Sequence, residues 1–296
     1  MSTSKLIEAS IFFDYLKHCS CEHLFNDECY RRLENVRQQY GHLLSDYVVV
    51  ETALSDAEFA VDYDIRQMRS TFCGNHDFLE LDYEACAQEN IIPCYNTNIS
   101  KARDVISVFR AAREILPRTI PREVVVALWP QLRKIASLTF ANHGSLYEIN
   151  YMKSRNPGTK LKIFLQNLTP EGILNILKGL DWDGSLTALE ASLTEYVRYA
   201  KDDLLMIDFE FEPHRISSKV GINISLKNQH ETLAPFLDFL IGKGLCLPEK
   251  ASDVIKFVKT AKSASPCIRN DIADFKMPFV GDRVTMAKVY LGVKAL

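Results

Sequence analysis

The sequence predicts an α+β fold, a closed antiparallel β-barrel of about ten strands wrapped by α-helices. Runs in which β-branched and aromatic residues alternate with polar ones occur in pairs joined by short turns. Pairs of segments with helical periodicity separate most of these strand pairs. Strands joined by a short turn are antiparallel, because a parallel pair needs a crossover of about a dozen residues. This order excludes a doubly wound sheet and a parallel eight-fold barrel, in which single strands and helices alternate.

The composition is that of a folded protein without a strong charge bias. The chain has 296 residues, of which 47% are hydrophobic and 25% are charged, and its formal net charge is -3. Such a charge provides no overall attraction to nucleic acid or to an anionic membrane. The sequence has no signal-peptide pattern and no run of eighteen apolar residues. We therefore expect a cytoplasmic protein without nucleic-acid or membrane partners, folded as a single domain over residues 1–296.

The amino-terminal segment, residues 1–45, is predicted to be helical because Phe12, Leu16, Leu33 and Val36 recur at helical spacing among charged residues. Strand and helix pairs follow over residues 46–296. The predicted strand pairs are 47–51 with 59–66, 78–83 with 91–95, 146–152 with 160–166, 204–211 with 219–226, and two strands within 274–293. The second of these pairs has the weakest alternation, so one repeat is expected to be reduced.

Helices are predicted between the later strand pairs. Thr169 and Pro170 are a capping residue and a first-turn proline, and they indicate the start of one helix. Gly242 and Gly244 indicate the end of another. The remaining helical segments are 100–116, 122–140, 185–199 and 251–262.

Each clear strand pair has one apolar face, which we expect to contact the helices. The opposite face is polar, and it lines an enclosed interior if the sheet closes, as long twisted sheets tend to do. The alternative is an open sheet whose lysine-bearing face meets solvent. The residues of the polar face are Asp62, Asp64, Arg66, Lys160, Lys162, Phe164, Gln166, Lys219, Gly221, Asn223, Ser225, Lys276, Met286, Lys288 and Tyr290.

This arrangement resembles the soluble αββα-barrel (ABBA) prenyltransferases, which include bacterial aromatic prenyltransferases and cyanobactin peptide prenyltransferases. The hairpins YVVVETALSDAEFAVDYDI and SLYEINYMKSRNPGTKLKIFL carry the resemblance, which is one of architecture over about residues 47–293. It implies a barrel that encloses an allylic diphosphate, dimethylallyl or geranyl, held through its diphosphate by lysine, arginine and tyrosine side chains. The diphosphate ligands so implied are Lys162, Lys219, Lys276, Lys288 and Tyr290, together with Lys160 and Arg66 on the same face.

Prenyl transfer would need three kinds of side chain. Lysines that converge in a low-dielectric interior stabilise the diphosphate leaving group, because their charge is already oriented. Aromatic rings stabilise the allylic cation through cation–π attraction, and the candidates are Phe164, Tyr151 and Tyr290. A carboxylate then removes a proton from the alkylated acceptor, for which the candidates are Asp62, Glu148 and Glu80.

Metal and cofactor motifs are weak. His18, Cys19, Cys21 and His23, even with Cys29 close by, fit no paired zinc-ligand spacing, so ordinary helix or loop positions are favoured over a metal site. Residues 270–274 read NDIAD, a form of diphosphate–metal motif, but they lie at a strand entrance instead of on a helix. Dinucleotide, P-loop, zincin and hydrolase motifs are absent from the sequence. No cofactor is predicted to be required, and Mg²⁺ is optional.

The sequence thus predicts a prenyltransferase that moves a dimethylallyl or geranyl group from its diphosphate to an aromatic small molecule or a peptide. The alternative is a non-catalytic accessory protein that uses the same helix-wrapped sheet to bind a small molecule or a peptide. The two hypotheses differ in whether the polar face binds an allylic diphosphate.

Overall fold

The computed structural model describes residues 6–55, 61–67, 77–82, 92–99, 102–119, 122–151, 160–264 and 268–296. The chain divides into two compact units. The first comprises Met1–Pro93, Asn228–Phe275 and Met286–Leu296, and the second comprises Cys94–Lys227 and Lys276–Thr285. The prediction of a single domain stays a prediction.

Within the described ranges the chain forms eight α-helices and thirteen β-strands. The helices are α1 (Ala9–His18), α2 (Asp27–Tyr40), α3 (Val105–Thr119), α4 (Arg122–Ala141), α5 (Pro170–Gly179), α6 (Leu186–Tyr196), α7 (Gln229–Gly242) and α8 (Pro248–Ala264). The strands are β1 (Ile7–Glu8), β2 (Leu44–Ser45), β3 (Tyr47–Ala53), β4 (Val61–Gln67), β5 (Asp77–Asp82), β6 (Ile92–Asn98), β7 (Ser145–Tyr151), β8 (Leu161–Leu168), β9 (Leu205–Phe211), β10 (Ile216–Ile224), β11 (Ile268–Val280), β12 (Arg283–Val284) and β13 (Lys288–Ala295).

The first unit contains the amino-terminal helices and the strand order β5-β4-β3-β13-β11, and β11 belongs to this unit only as far as Phe275. α1 and α2 lie within the segment 1–45 that the sequence predicts to be helical, of which residues 1–5 are outside the described ranges. The side chain of Asn26 caps α2 by accepting a hydrogen bond from the Cys29 N–H at 2.9 Å. The short strands β1 and β2, which pair Ile7 with Ser45, were not predicted. They are too short to show periodicity in the sequence.

Helices α1 and α2 pack on the apolar face of this unit. Val48, Val50 and Ile65 are completely buried. Tyr63 on β4 meets Phe13 of α1 edge to face, with ring centroids 6.1 Å apart. This face therefore contacts helices, as the alternation of residues in the first strand pair predicted.

The second unit contains β6-β7-β8-β9-β10 in that order, and β10 also pairs with β11. Its helices α4 and α5 contact β7 and β8. Thr169 caps α5 as predicted, since its hydroxyl accepts a hydrogen bond from the Gly172 N–H at 3.1 Å, and Ser185 caps α6 in the same way. Ile163 and Ile207 on the helix-facing side of the strands are completely buried.

The predicted class, α+β with antiparallel strand pairs separated by helix pairs, is confirmed. Complete closure of the strands into a barrel is not borne out. The boundaries differ most at β11, which begins at Ile268, six residues before the predicted segment. Polar residues at the start of β11 hid its alternation in the sequence. Of the predicted strands and helices, residues 59–60, 83, 91, 100–101 and 152 lie outside the described ranges.

Candidate functional site

The strand register of the second unit places charged and aromatic residues on one face. Phe164 on β8 lies opposite Glu148 on β7 and opposite Asp208 on β9. Asp208 in turn lies opposite Gly221 on β10. Residues directly opposite each other on neighbouring strands share a face of the sheet, and so do residues two apart on one strand. Lys162 therefore belongs to this polar face as well.

Four side chains of the second unit form a buried polar group, which we call the charge cluster: Lys162, Asp208, Asn223 and Lys276, none of them more than 8% exposed. The Nζ atom of Lys276 lies 2.9 Å from Oδ1 of Asp208, and the Nζ atom of Lys162 lies 3.7 Å from the same oxygen. The side-chain amide of Asn223 donates to Oδ2 of Asp208 at 2.8 Å. One carboxylate thus holds two ammonium groups that come from different strands.

The charge of Asp208 follows from these contacts. Burial alone would raise the pKa of this carboxyl, because the ionised form loses its hydration. The charges of Lys276 and Lys162, together with the hydrogen bond from Asn223, outweigh burial and lower the pKa to about 2. Asp208 is therefore ionised at neutral pH, with the ammonium groups of Lys276 and Lys162 beside it.

The space for this carboxylate exists because position 221 is a glycine. A β-carbon on Gly221 would overlap Oδ2 of Asp208 and lie 2.7 Å from Cε of Lys276. Glycine inside a strand often marks a place where another group approaches the backbone closely. The charge cluster therefore depends on the absence of a side chain at Gly221 as well as on its own four residues.

An aromatic ring adjoins the two lysines. The centroid of the Phe164 ring lies 4.8 Å from Nζ of Lys162 and 5.9 Å from Nζ of Lys276. Both distances are within the range of cation–π attraction. Phe164, predicted to shield a prenyl cation, is thus placed next to two of the lysines predicted to bind the diphosphate.

One predicted general base lies on the same face. Glu148 is 6% exposed, and Asn150, next along that face of β7, is 1% exposed. The side chains of the other two candidates, Asp62 on β4 and Glu80 on β5, lie outside the described residues. The same holds for Tyr151, a predicted shielding residue at the end of β7.

The first unit carries its own lysine–carboxylate pair. Nζ of Lys288 on β13 lies 2.6 Å from a carboxylate oxygen of Glu51 on β3. Glu51 lies directly opposite Tyr290 of β13 on one side and directly opposite Asp62 of β4 on the other. Tyr290 is half-buried. The register therefore places the predicted ligands Lys288 and Tyr290 on one face of β13. Arg66 also lies on β4, but its side chain is outside the described residues.

A second polar contact in the first unit was not predicted. The hydroxyl of Tyr47 donates to Oδ1 of Asp271 at 3.0 Å, and a β-carbon on Gly292 would overlap both groups. Burial raises the pKa of Asp271, and the hydrogen bond from Tyr47 opposes that effect. This contact could not be found in the sequence, because Tyr47, Asp271 and Gly292 belong to three separate strands.

Two predicted diphosphate ligands lie apart from the charge cluster. Nζ of Lys160 lies 3.2 Å from Glu212, and it lines a polar cavity of about 200 Å³ together with Arg215. Lys219 is exposed. The register of β10 shifts between Ile216 and Val220, and such a bulge changes the direction of neighbouring side chains. The sequence alternation around Lys219 did not reveal this shift.

Sequence reasoning identified the lysines but missed their carboxylate partners. Asp208 lies in the predicted strand 204–211, and Glu51 ends the predicted strand 47–51. The signal was present in β9, where Met206, Asp208 and Glu210 alternate with buried apolar residues. Alternation places Asp208 on the polar face, but only the strand order places it beside Lys276.

The residues considered as metal ligands are buried as thiols or hydrogen-bonded within the protein. Cys19 and Cys21 are buried free thiols, and burial raises the pKa of Cys19 to about 11 and that of Cys21 to about 12. In the NDIAD segment, Asn270 donates to the Phe257 carbonyl of α8 while Asp271 accepts from Tyr47. In the part of the chain that the structure describes, no three His, Cys, Asp or Glu side chains are grouped so as to hold a metal ion.

Comparison with known proteins gives a fold. The chain is similar to the crystal structure of AnaPT from Neosartorya fischeri, with a TM-score of 0.53 and 13% sequence identity, over 98% of this chain and 92% of that chain. AnaPT is an aromatic prenyltransferase of the ABBA fold. No protein-family model matches the sequence, and no curated protein matches it either. At 13% sequence identity the likeness to AnaPT concerns architecture alone, and in architecture the chain resembles the ABBA prenyltransferases.

Among the described helices, none has both the length and the apolar character to cross a membrane.

Proposed function

We propose that the protein transfers a short isoprenyl group, dimethylallyl or geranyl, from its diphosphate to an aromatic small molecule or a peptide. The observation that carries the proposal is the charge cluster with its adjoining ring. Two buried lysines on one face of an ABBA-type sheet lie beside Phe164. Lysine is rarely fully buried unless it is paired, and a pair of such lysines next to an aromatic ring suits an anionic leaving group and a carbocation.

The two lysines would stabilise the diphosphate as it leaves. Heterolysis of the allylic C–O bond leaves both electrons on the diphosphate, so negative charge grows on the leaving group. Lys162 and Lys276 provide positive charge that is already in place, and their low exposure strengthens its effect. Lys288 and Tyr290, which the sequence predicts as diphosphate ligands, belong to the first unit and stay predictions.

The ring of Phe164 would stabilise the positive charge that remains on the prenyl group. A cation over an aromatic face gains about 0.5 to 2 kcal/mol, depending on how well water is excluded. Phe164 is half-buried at the edge of the charge cluster, so it is available to a group placed next to the diphosphate. Tyr151 is proposed for the same role, and the shielding role predicted for Tyr290 of the first unit stays a prediction.

The acceptor would lose a proton after it is alkylated. Glu148 is proposed as the group that takes this proton, because it is buried on the same face and lies opposite Phe164. Asp62 and Glu80 are the other candidates. Mg²⁺ stays optional in this proposal, since the lysines supply the charge that neutralises the diphosphate.

The test is incubation of the full chain with dimethylallyl and geranyl diphosphate and a panel of aromatic and peptide acceptors, followed by mass spectrometry. Acceptors heavier by one or two C5 units are expected. The variant Lys276→Met keeps the length of the side chain but removes its charge, and it should abolish product. Lys178→Met, an exposed lysine on α5, is the matched control and should leave the product yield unchanged.

The alternative, a non-catalytic binding protein, is favoured by one observation. Lys276 and Lys288 both have a carboxylate partner within the protein, as a purely structural interior would require. Calorimetry separates the two functions. If no allylic diphosphate produces binding heat with the wild-type protein, the prenyltransferase proposal is wrong and the accessory role is favoured.

A further inference from the structure

Asp208 contacts both of the lysines that we propose as diphosphate ligands in the second unit. Its Oδ1 atom lies 2.9 Å from Nζ of Lys276 and 3.7 Å from Nζ of Lys162, and its other oxygen accepts from Asn223. The carboxylate is therefore within reach of both ammonium groups at once. Gly221 leaves the space that the carboxylate fills.

We infer that Asp208 is an internal counter-ion, which holds Lys162 and Lys276 when no substrate is bound and competes with the diphosphate group for them. The inference rests on the proposed function, because it assigns a role within the same site. It makes Asp208 a positioning residue. It acts on the substrate through the lysines and takes no part in the transfer step.

Two buried ammonium groups without an anion would repel each other and would lose hydration without compensation. Asp208 offsets part of this cost with its one negative charge, and the buried carboxyl group of Glu148 lies on the same face of the sheet. A diphosphate with two or three negative charges is attracted more strongly to the lysines than a carboxylate is, so it can take over both of them.

The same competition gives the site a preference among anions. An anion with less charge and fewer acceptor oxygens than a diphosphate offers the lysines less in exchange for Asp208, so it is expected to bind more weakly. A diphosphate offers more charge and several acceptor oxygens. The wild-type protein is therefore expected to prefer inorganic pyrophosphate over inorganic phosphate, and removal of the Asp208 charge should weaken this preference.

Asp208→Asn is the informative variant, since the amide keeps the shape of the side chain and removes its charge. Without ligand the variant should unfold at a lower urea concentration than the wild type. In calorimetry it should nevertheless bind inorganic pyrophosphate at least about tenfold more tightly, since the competing charge is gone. Asp238→Asn, at an exposed position of α7, should change neither quantity.

The opposite signs of these two effects separate the inference from a purely structural role. If Asp208→Asn loses stability and binds pyrophosphate equally well or more weakly, the inference is overturned. If the variant is insoluble, the amount of soluble protein recovered on refolding from urea, with pyrophosphate or with sulfate present, is measured in place of calorimetry. Recovery with pyrophosphate but not with sulfate supports the inference, and no recovery with either overturns it.

Lys276→Met in the same assay distinguishes this inference from the proposed function. If the wild type binds pyrophosphate and dimethylallyl diphosphate, Lys276→Met loses both, and Asp208→Asn binds no tighter, only the counter-ion role is wrong. If neither the wild type nor Asp208→Asn binds either ligand, both the counter-ion role and the prenyltransferase proposal are wrong.

Discussion

The charge of Asp208 predicts how the stability of the protein depends on pH. Its pKa lies at about 2 in the folded protein and at 3.8 in the absence of these contacts. At about 1.4 kcal/mol for each pH unit, a pKa change of this size corresponds to about 2 kcal/mol of folding free energy. Because the group is buried, solvent screening does not reduce this figure as it would for a surface carboxylate.

The sign of the effect follows from the direction of the shift. The pKa is lower in the folded state, so the unfolded chain binds the proton first as the pH falls. The stabilisation is present above about pH 4 and is lost as the pH falls through 3.8 towards 2. By this reasoning about 1 kcal/mol is lost between pH 6 and pH 3, and the remainder is lost below pH 3.

The assay compares urea unfolding of the wild type and Asp208→Asn at several pH values between 6 and 3. The wild type should be the more stable protein at pH 6, and the gap in unfolding free energy should narrow by about 1 kcal/mol by pH 3. Other carboxylates titrate in both proteins, so they cancel in the gap. The gap between the wild type and Asp238→Asn should stay flat. A gap for Asp208→Asn that is constant or widens on acidification would refute the reasoning.

Three further substitutions test local features. Gly221→Ala should destabilise the protein by about 1 to 3 kcal/mol in urea unfolding, because the added β-carbon would overlap the charge cluster. Gly242→Ala is the control and should not destabilise the protein, since its β-carbon would meet no atom within 4 Å. Tyr47→Phe should cost about 1 to 2 kcal/mol and raise the pKa of Asp271 further in an NMR titration; an unchanged pKa would contradict the hydrogen bond. Thr169→Ala should cost about 1 kcal/mol by loss of a helix cap, and replacement by serine should restore most of it.

Much of the fold could be predicted because its signals are local. The alternation in KLKIFLQ depends only on the two-residue period of a strand, and β8 occupies residues 161–168 as expected. The cap at Thr169 depends on residues within one helical turn. The short strands β1 and β2 and the early start of β11 were missed, since their residues carry little apolar alternation.

The candidate site could be predicted only in part. Alternation placed Lys162 and Lys276 on a polar face, and both are buried there. Alternation also placed Lys219 on that face, but the register shift in β10 leaves it exposed. A bulge depends on how a strand pairs with its neighbour, and the residues of one strand do not encode it visibly.

The sequence by itself determined which segments are strands and helices and which face of each strand is polar, because those properties arise from residues a few positions apart. Only the tertiary structure decided that Lys276 meets Asp208, a residue 68 positions away, at a place where Gly221 leaves room. The energy of that contact depends on strand order, register and exclusion of water. All three are properties of the folded chain, and no periodicity in the sequence specifies them.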